Sequence, residues 1–102
     1  MAAGDTTSGR RVPDGTEPHL YEPGDYGRWD GEWYCNTPYP RMDYEDGPPN
    51  GLGGRLSAHE VVEHEDGTIT VSPSILVWTT WGPEKTRHEW HGYLERGTWR
   101  EV

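Results

Sequence analysis

The stretch that decides the fold runs from residue 63 to residue 82 and reads "EHEDGTITVSPSILVWTTWG". The pair Asp66-Gly67 is typical of a tight β-hairpin, because a type I′ turn needs a positive φ at both central residues. In the "TITV" that follows, Ile69 and Val71 alternate with threonines, which is the pattern of a strand with one apolar face. The stretch therefore predicts a hairpin that continues into a long strand.

The second half of the same stretch is interrupted and then resumes. Ser72-Pro73-Ser74 breaks the strand, since Pro73 has no N–H for the ladder. A bulge or a jump to a second pairing partner is expected there. The run from Ile75 to Trp78 is almost continuously apolar, which predicts a strand buried on both faces.

Segments on either side of this stretch extend the β pattern. "RLSAHEVVEHE" favours a strand, and a capping box of Ser57 and Glu60 leaves a short helix over residues 58–65 as the alternative. "TRHEWHGYL" and "TWREV" predict a last hairpin around Arg96-Gly97. The fold class predicted is all-β: a small antiparallel sheet of four or five strands that forms a sandwich or half-barrel.

The front of the chain has a different composition. Residues 1–20 contain almost no apolar side chains, so an extended arm is predicted that is disordered alone and orders on contact. Residues 21–102 form the single β domain, in which "GEWYCNT" is a short strand after the Asp30-Gly31 turn. A Pro- and Gly-rich loop is predicted over residues 41–54.

Composition and charge narrow the function classes. The chain has 18 Asp and Glu against 9 Lys and Arg, a net charge of −9, and one cysteine. Phosphate recognition and anionic membranes both require basic patches, so neither nucleic acid nor membrane is an expected partner. The lone cysteine excludes an internal disulfide and fits the cytoplasm, including that of an infected host, or a virion. No apolar run approaches the ~18 residues of a membrane span.

Aromatic residues supply the candidate binding positions. The chain has no Phe but six Trp and six Tyr, and several of these cluster after residue 20. Because Trp and Tyr are enriched at the centres of protein interfaces, four side chains are candidates for contact with a protein partner. They are Tyr21, Tyr26, Trp29 and Trp81.

Chemistry-bearing residues give weaker signals. Cys35 and His91 could converge on a metal, with a third ligand from His59 or His64, although two ligands do not complete a tetrahedral site. His88 and His91 are three apart on a strand and point to opposite faces. Ser72 and Ser74 lack a G-x-S-x-G elbow, and the acidic runs are expected to be solvated. No cofactor, metal or catalytic residue is therefore assigned.

Two C-terminal segments carry a family resemblance. "TVSPSILV" followed by "WHGYLERGTWRE" resembles an uncharacterised family of small proteins from actinobacteria and their tailed phages. The likeness covers residues 60–102 and, more loosely, "GEWYCNTP". Members carry a cysteine pair and a Cys-His that suggest a metal site. This chain keeps only Cys35 of the pair, and Trp90 stands where the cysteine of the Cys-His would be, which leaves His91. The resemblance therefore implies a β fold and a phage origin rather than an activity.

The function expected is a non-enzymatic interaction or structural module. The arm and the aromatic strand would dock on a protein surface, as in a virion decoration or minor capsid protein, or the chain would form a homo-oligomer. One alternative is a small acidic phage inhibitor that binds a host protein or imitates nucleic acid. Another is a degenerate metal-binding enzyme domain.

Overall fold

The computed structural model describes residues 6–39, 52–81 and 84–102, and the side chain of Trp81 lies outside this description. The described residues form nine strands and one short 3-10 helix, Pro18–Leu20. The strands are β1 (Thr6–Ser8), β2 (Arg10–Arg11), β3 (Asp25–Trp29), β4 (Glu32–Asn36), β5 (Gly53–Arg55), β6 (Glu60–Glu63), β7 (Ile69–Trp81), β8 (Thr86–Glu95) and β9 (Thr98–Glu101).

The strands form two sheets, which confirms the predicted all-β class. The five-stranded sheet has the order β1-β9-β8-β7-β6, and the four-stranded sheet has the order β2-β3-β4-β5. All neighbours are antiparallel except β2 and β3, which are parallel. A small sandwich results.

The core lies between the sheets and depends on large rings. Trp90 and Trp99 of the five-stranded sheet meet edge to face, with ring centroids 5.3 Å apart. The Trp99 indole N–H donates to the Gly24 carbonyl at 2.9 Å, just before β3 of the other sheet. The remaining buried apolar residues of the cluster are Tyr26, Cys35, Leu52, Leu56, Ile69, Val71, Ile75 and Leu94.

Two of the predicted hairpin turns have the expected backbone, and the third differs. Asp30 and Gly31 have φ of 53° and 80°, and Arg96 and Gly97 have φ of 47° and 76°, as a type I′ turn requires. At Asp66-Gly67 the positive φ is confined to the glycine, so the type I′ prediction was wrong there. The reason is local: the Asp66 carboxylate accepts hydrogen bonds from the N–H and hydroxyl of Thr68, which holds a longer loop.

The predicted interruption at Ser72-Pro73-Ser74 is a bulge. Val71 pairs with Leu94 and Ile75 pairs with Gly92. The chain therefore advances four residues along β7 where it advances two along β8. This even difference keeps the side-chain alternation in phase, and Val71 and Ile75 both point into the core.

The N-terminal segment is extended, and within the chain it contacts both sheets. β1 pairs with β9, and β2 pairs with β3. Arg10 holds the buried carboxylate of Asp25 through two hydrogen bonds of 3.0 and 2.7 Å. Whether residues 1–20 are ordered without the rest of the chain, and whether they dock on another protein, stay predictions.

Three further expectations need correction. Leu76 and Trp78 are exposed, so the run from Ile75 to Trp78 is buried on one face rather than two. Gly53 and Gly54 lie in β5 instead of a loop, because their backbones pair with β4. β3 was not predicted. The favoured prediction of a strand within residues 55–65 is confirmed by β6, and the alternative of a helix over residues 58–65 is wrong. The rest of the predicted acidic loop, residues 41–51, lies outside the described residues.

Gly92 provides a test of the packing between β8 and β9. A Cβ there would meet the Arg100 carbonyl, the Trp90 ring and the Glu101 backbone. We expect Gly92→Ala to lower the free energy of unfolding by about 1–3 kcal/mol, the usual cost of overpacking, measured by urea denaturation. Gly54→Ala is the matched control, since a Cβ there meets nothing within 4 Å. Equal stability of the two variants would contradict the packing described.

Candidate protein-interaction surface

β7 and β8 extend beyond the strands that flank them. β6 pairs with residues 69–72 of β7, and β9 pairs with residues 92–95 of β8. Among the described strands, residues 76–81 and 86–91 therefore pair only with each other. We call this two-stranded projection the ribbon.

The outer face of the ribbon exposes apolar side chains. Leu76 is 52% exposed and Trp78 is 54% exposed. The Arg87 guanidinium lies 4.4 Å from the centroid of the Trp78 ring, while its nitrogens donate to a carboxylate oxygen of Glu89 at 3.0 and 2.7 Å. The cation–π contact and the ion pair hold the indole in one orientation on the surface.

The inner face of the ribbon is attached to the rest of the molecule. The Tyr39 hydroxyl and the His88 Nδ1 are 2.8 Å apart, and the two rings meet edge to face. Val77, on the same face, packs against the core cluster. The ribbon is thus supported from inside, and its outer face is left accessible.

The four residues predicted to bind a partner are not brought together. Tyr21 and Tyr26 are each 1% exposed, so the structure assigns both rings to the interior. Trp29 is partly buried at the end of β3 and packs edge-on against Tyr34. Trp81 is the last residue of β7, and its side chain lies outside the described part of the structure.

Cys35 and His91 lie on different faces of different sheets. Cys35 is buried in the core, and burial raises the pKa of its thiol to about 12, which suits an inert core residue. His91 pairs with the exposed Leu76 on the outer face. Within the described residues, no three His, Cys, Asp or Glu side chains are grouped so that they could hold a metal ion.

The histidines have hydrogen-bonding roles in the sheet. His91 Nε2 lies 3.0 Å from the Ser74 hydroxyl, and His59 Nε2 lies 3.1 Å from the Ser74 carbonyl. His64 Nε2 lies 2.7 Å from the Thr70 hydroxyl. A serine next to an imidazole is half of a nucleophilic site. Here, however, Ser74 lies in the bulge of β7, where the contact joins β7 to β8.

Trp78 is the exposed aromatic residue that sequence reasoning missed. A signal was present, since its partner across the hairpin is Glu89 and the neighbouring pair joins Thr80 to Arg87. Two charged residues on one face of "TRHEWHGYL" indicate that this face meets water. The same face of the paired strand must then be exposed as well.

Comparisons with protein-family models, curated proteins and solved structures find no match to this chain. The resemblance to the actinobacterial and phage family therefore stays a prediction. In the part of the chain that the structure covers, no helix has the length and apolar character needed to cross a bilayer.

Tyr21 provides a test of how these aromatic residues are used. Its hydroxyl is buried with no hydrogen-bond partner among the described residues. Tyr21→Phe should therefore leave the free energy of unfolding at pH 7 unchanged or slightly higher. Tyr39→Phe, which removes the contact with His88, should lower it by about 0.5–1.5 kcal/mol in the same urea titration. Equal losses in both variants would show that the Tyr21 hydroxyl has a partner.

The effect of pH on the Tyr21→Phe variant follows from the direction in which the pKa of Tyr21 is shifted. Burial raises the pKa of Tyr21 from 10.0 to about 12, so the folded state favours the neutral phenol. The stabilisation that this gives is complete below pH 10.0 and is lost as the pH rises towards 12. Tyr21→Phe should weaken the alkaline loss of stability. An unchanged alkaline profile would contradict the burial of this hydroxyl.

Proposed function

We propose that the protein is a non-enzymatic protein-interaction module that binds a partner protein through the outer face of the ribbon. The observation that carries the proposal is the exposed Trp78, fixed by Arg87 on a projecting hairpin. Tryptophan and arginine are the residues most enriched at the energetic centres of protein interfaces. An indole already held in place loses little conformational entropy when it binds.

Charge indicates the chemistry of the partner. The chain carries a net charge of −9, so long-range attraction favours a partner whose surface is basic around the contact. The contact itself should be an apolar pocket, because Leu76 and Trp78 are neutral and lie next to each other on alternate positions of β7. Salt should therefore slow association more than it weakens the final complex.

In this proposal the N-terminal arm is part of the fold, whereas the sequence-based hypothesis used it to dock on a partner. Residues 6–11 pair with β9 and β3 of the same chain, which leaves the ribbon as the surface that is offered. A virion decoration or minor capsid role remains one setting for such a module, and it depends on the family resemblance alone. The acidic-inhibitor hypothesis differs in one measurable respect: its binding equilibrium should weaken steeply with salt.

Substitution of Trp78 tests the proposal. Wild-type and Trp78→Ala proteins would be immobilised, and the proteins that each retains from a host lysate or from phage particles would be identified, purified and titrated. We expect Trp78→Ala to raise the Kd of the wild-type partner by about 30-fold, the loss typical of a central tryptophan. Trp29→Ala, on the other sheet, is the control and should bind as the wild type does.

Two outcomes would contradict the proposal. A purified partner that binds the Trp78→Ala protein with unchanged affinity would show that the ribbon is not the contact. A partner whose affinity falls steeply with salt in both proteins would favour the acidic inhibitor. Circular dichroism of both variants confirms that any loss does not come from unfolding.

A further inference from the structure

The direction in which the backbone groups of β7 point in the ribbon follows from one hydrogen bond at the base of the ribbon. The Val102 N–H donates to the His91 carbonyl at 3.0 Å, so this carbonyl points away from β7. Opposite residues in an antiparallel pair alternate between hydrogen-bonded and non-hydrogen-bonded positions. The pair of His91 and Leu76 is therefore of the second kind, and the N–H and C=O of Leu76 point away from β8.

The same alternation extends to the tip of the ribbon. Trp78 and Thr80 pair with Glu89 and Arg87 in the same phase as Leu76 does with His91. Their backbone groups also point to the side of β7 away from β8. Within residues 6–39, 52–81 and 84–102, no strand pairs with β7 there. The backbone N–H and C=O groups of Leu76, Trp78 and Thr80 thus form a row of hydrogen-bond donors and acceptors along the edge of the sheet.

Beyond the bulge at Ser72-Pro73-Ser74, the edge of β7 lacks the usual protection against pairing. Natural edge strands carry charges, prolines or bulges that discourage the addition of another strand. The edge strand β6 follows this rule with Glu60 and Glu63. Residues 75–81 of β7 contain no charged residue and no proline, and they are rich in β-branched and aromatic side chains. The segment has the composition of a strand that is paired on both sides.

We propose that two copies of the chain pair along this edge, β7 against β7, around a two-fold axis at Trp78. The length and position of the unpaired segment of β7 fit a second copy of the same strand. β6 covers β7 as far as Ser72, and the His59 ring covers the Ser74 carbonyl. Residues 75–81 remain, and Trp78 is their midpoint. Antiparallel pairing there sets Leu76 opposite Thr80 of the second copy and displaces neither β6 nor His59.

The free segment is the place where charge opposes a second copy least. Two chains that each carry a charge of −9 repel, so they approach closely only where the contact is neutral. The free segment is neutral, and the adjacent Arg87 and Glu89 already pair with each other. The pairing joins the two five-stranded sheets into one and brings the two Trp78 residues side by side, with Cα atoms about 5.5 Å apart. The dimer goes beyond the proposed function, because its formation does not need the partner protein.

Proline at position 80 tests the dimer without cutting the ribbon. The Thr80 N–H points to the free edge, so Thr80→Pro removes a donor to the second copy and none to β8. Wild-type protein should show a mass that rises with concentration from one chain to two in sedimentation equilibrium. We expect Thr80→Pro to raise the dimer Kd at least tenfold. Thr80→Val, which keeps the N–H, should dimerise as the wild type does.

Amide hydrogen exchange gives a second measurement that needs no variant. In the wild type, the amides of Leu76, Trp78 and Thr80 should exchange more slowly as the concentration rises, while that of Val77, which points to β8, should not change. A wild type that is monomeric throughout the concentration series would overturn the inference. So would a Thr80→Pro protein that dimerises with wild-type affinity. Neither result bears on partner binding, which the Trp78→Ala comparison measures.

Discussion

The hydrogen bond from the Trp99 indole to the Gly24 carbonyl is the contact on which the two-sheet arrangement depends. Trp99 is 1% exposed, pairs with Leu94 in the five-stranded sheet and packs edge-on against Trp90. Its ring lies where the chain crosses between sheets, so close to Gly9 that a Cβ there would be 2.8 Å from the indole nitrogen. One side chain thus supplies apolar bulk and also satisfies a buried carbonyl. A chain with only 30% hydrophobic residues needs such double use.

What could be predicted from the sequence was local. The turns at Asp30-Gly31 and Arg96-Gly97 could be located because glycine accepts a positive φ without steric cost, and the bulge at Pro73 follows from a missing N–H. The burial of a strand face depends instead on which strands lie beside it. Residues 75–78 would be buried on both faces in the middle of three layers, but here they lie in a sandwich of two sheets, and Trp78 is exposed.

The sequence could predict that aromatic residues form the candidate site, but it could not predict which aromatic residues lie on the surface. An aromatic contact surface was expected, yet Tyr26 belongs to the core cluster, and Tyr21, which follows the 3-10 helix, is 1% exposed. A Cβ at Gly27 would lie 3.0 Å from the Tyr21 hydroxyl, so a glycine of β3 makes room for this ring. β3 itself was missed, since "DYGRW" combines glycine and charge and lacks clear alternation. The ribbon is visible only when strand lengths are compared across the sheet. No local pattern states that β7 and β8 are longer than their neighbours.

The pairing of β1 with β9 has a kinetic consequence. Thr6 lies opposite Arg100, so the five-stranded sheet is completed by residues from opposite ends of the chain. Folds that depend on such distant pairings reach the native state slowly, because loop closure must precede the contacts that stabilise it. During that interval the edge of β9 that β1 covers in the folded sheet is accessible to any other nascent strand. The rate at which the two ends meet therefore governs how much newly made chain is lost to aggregation.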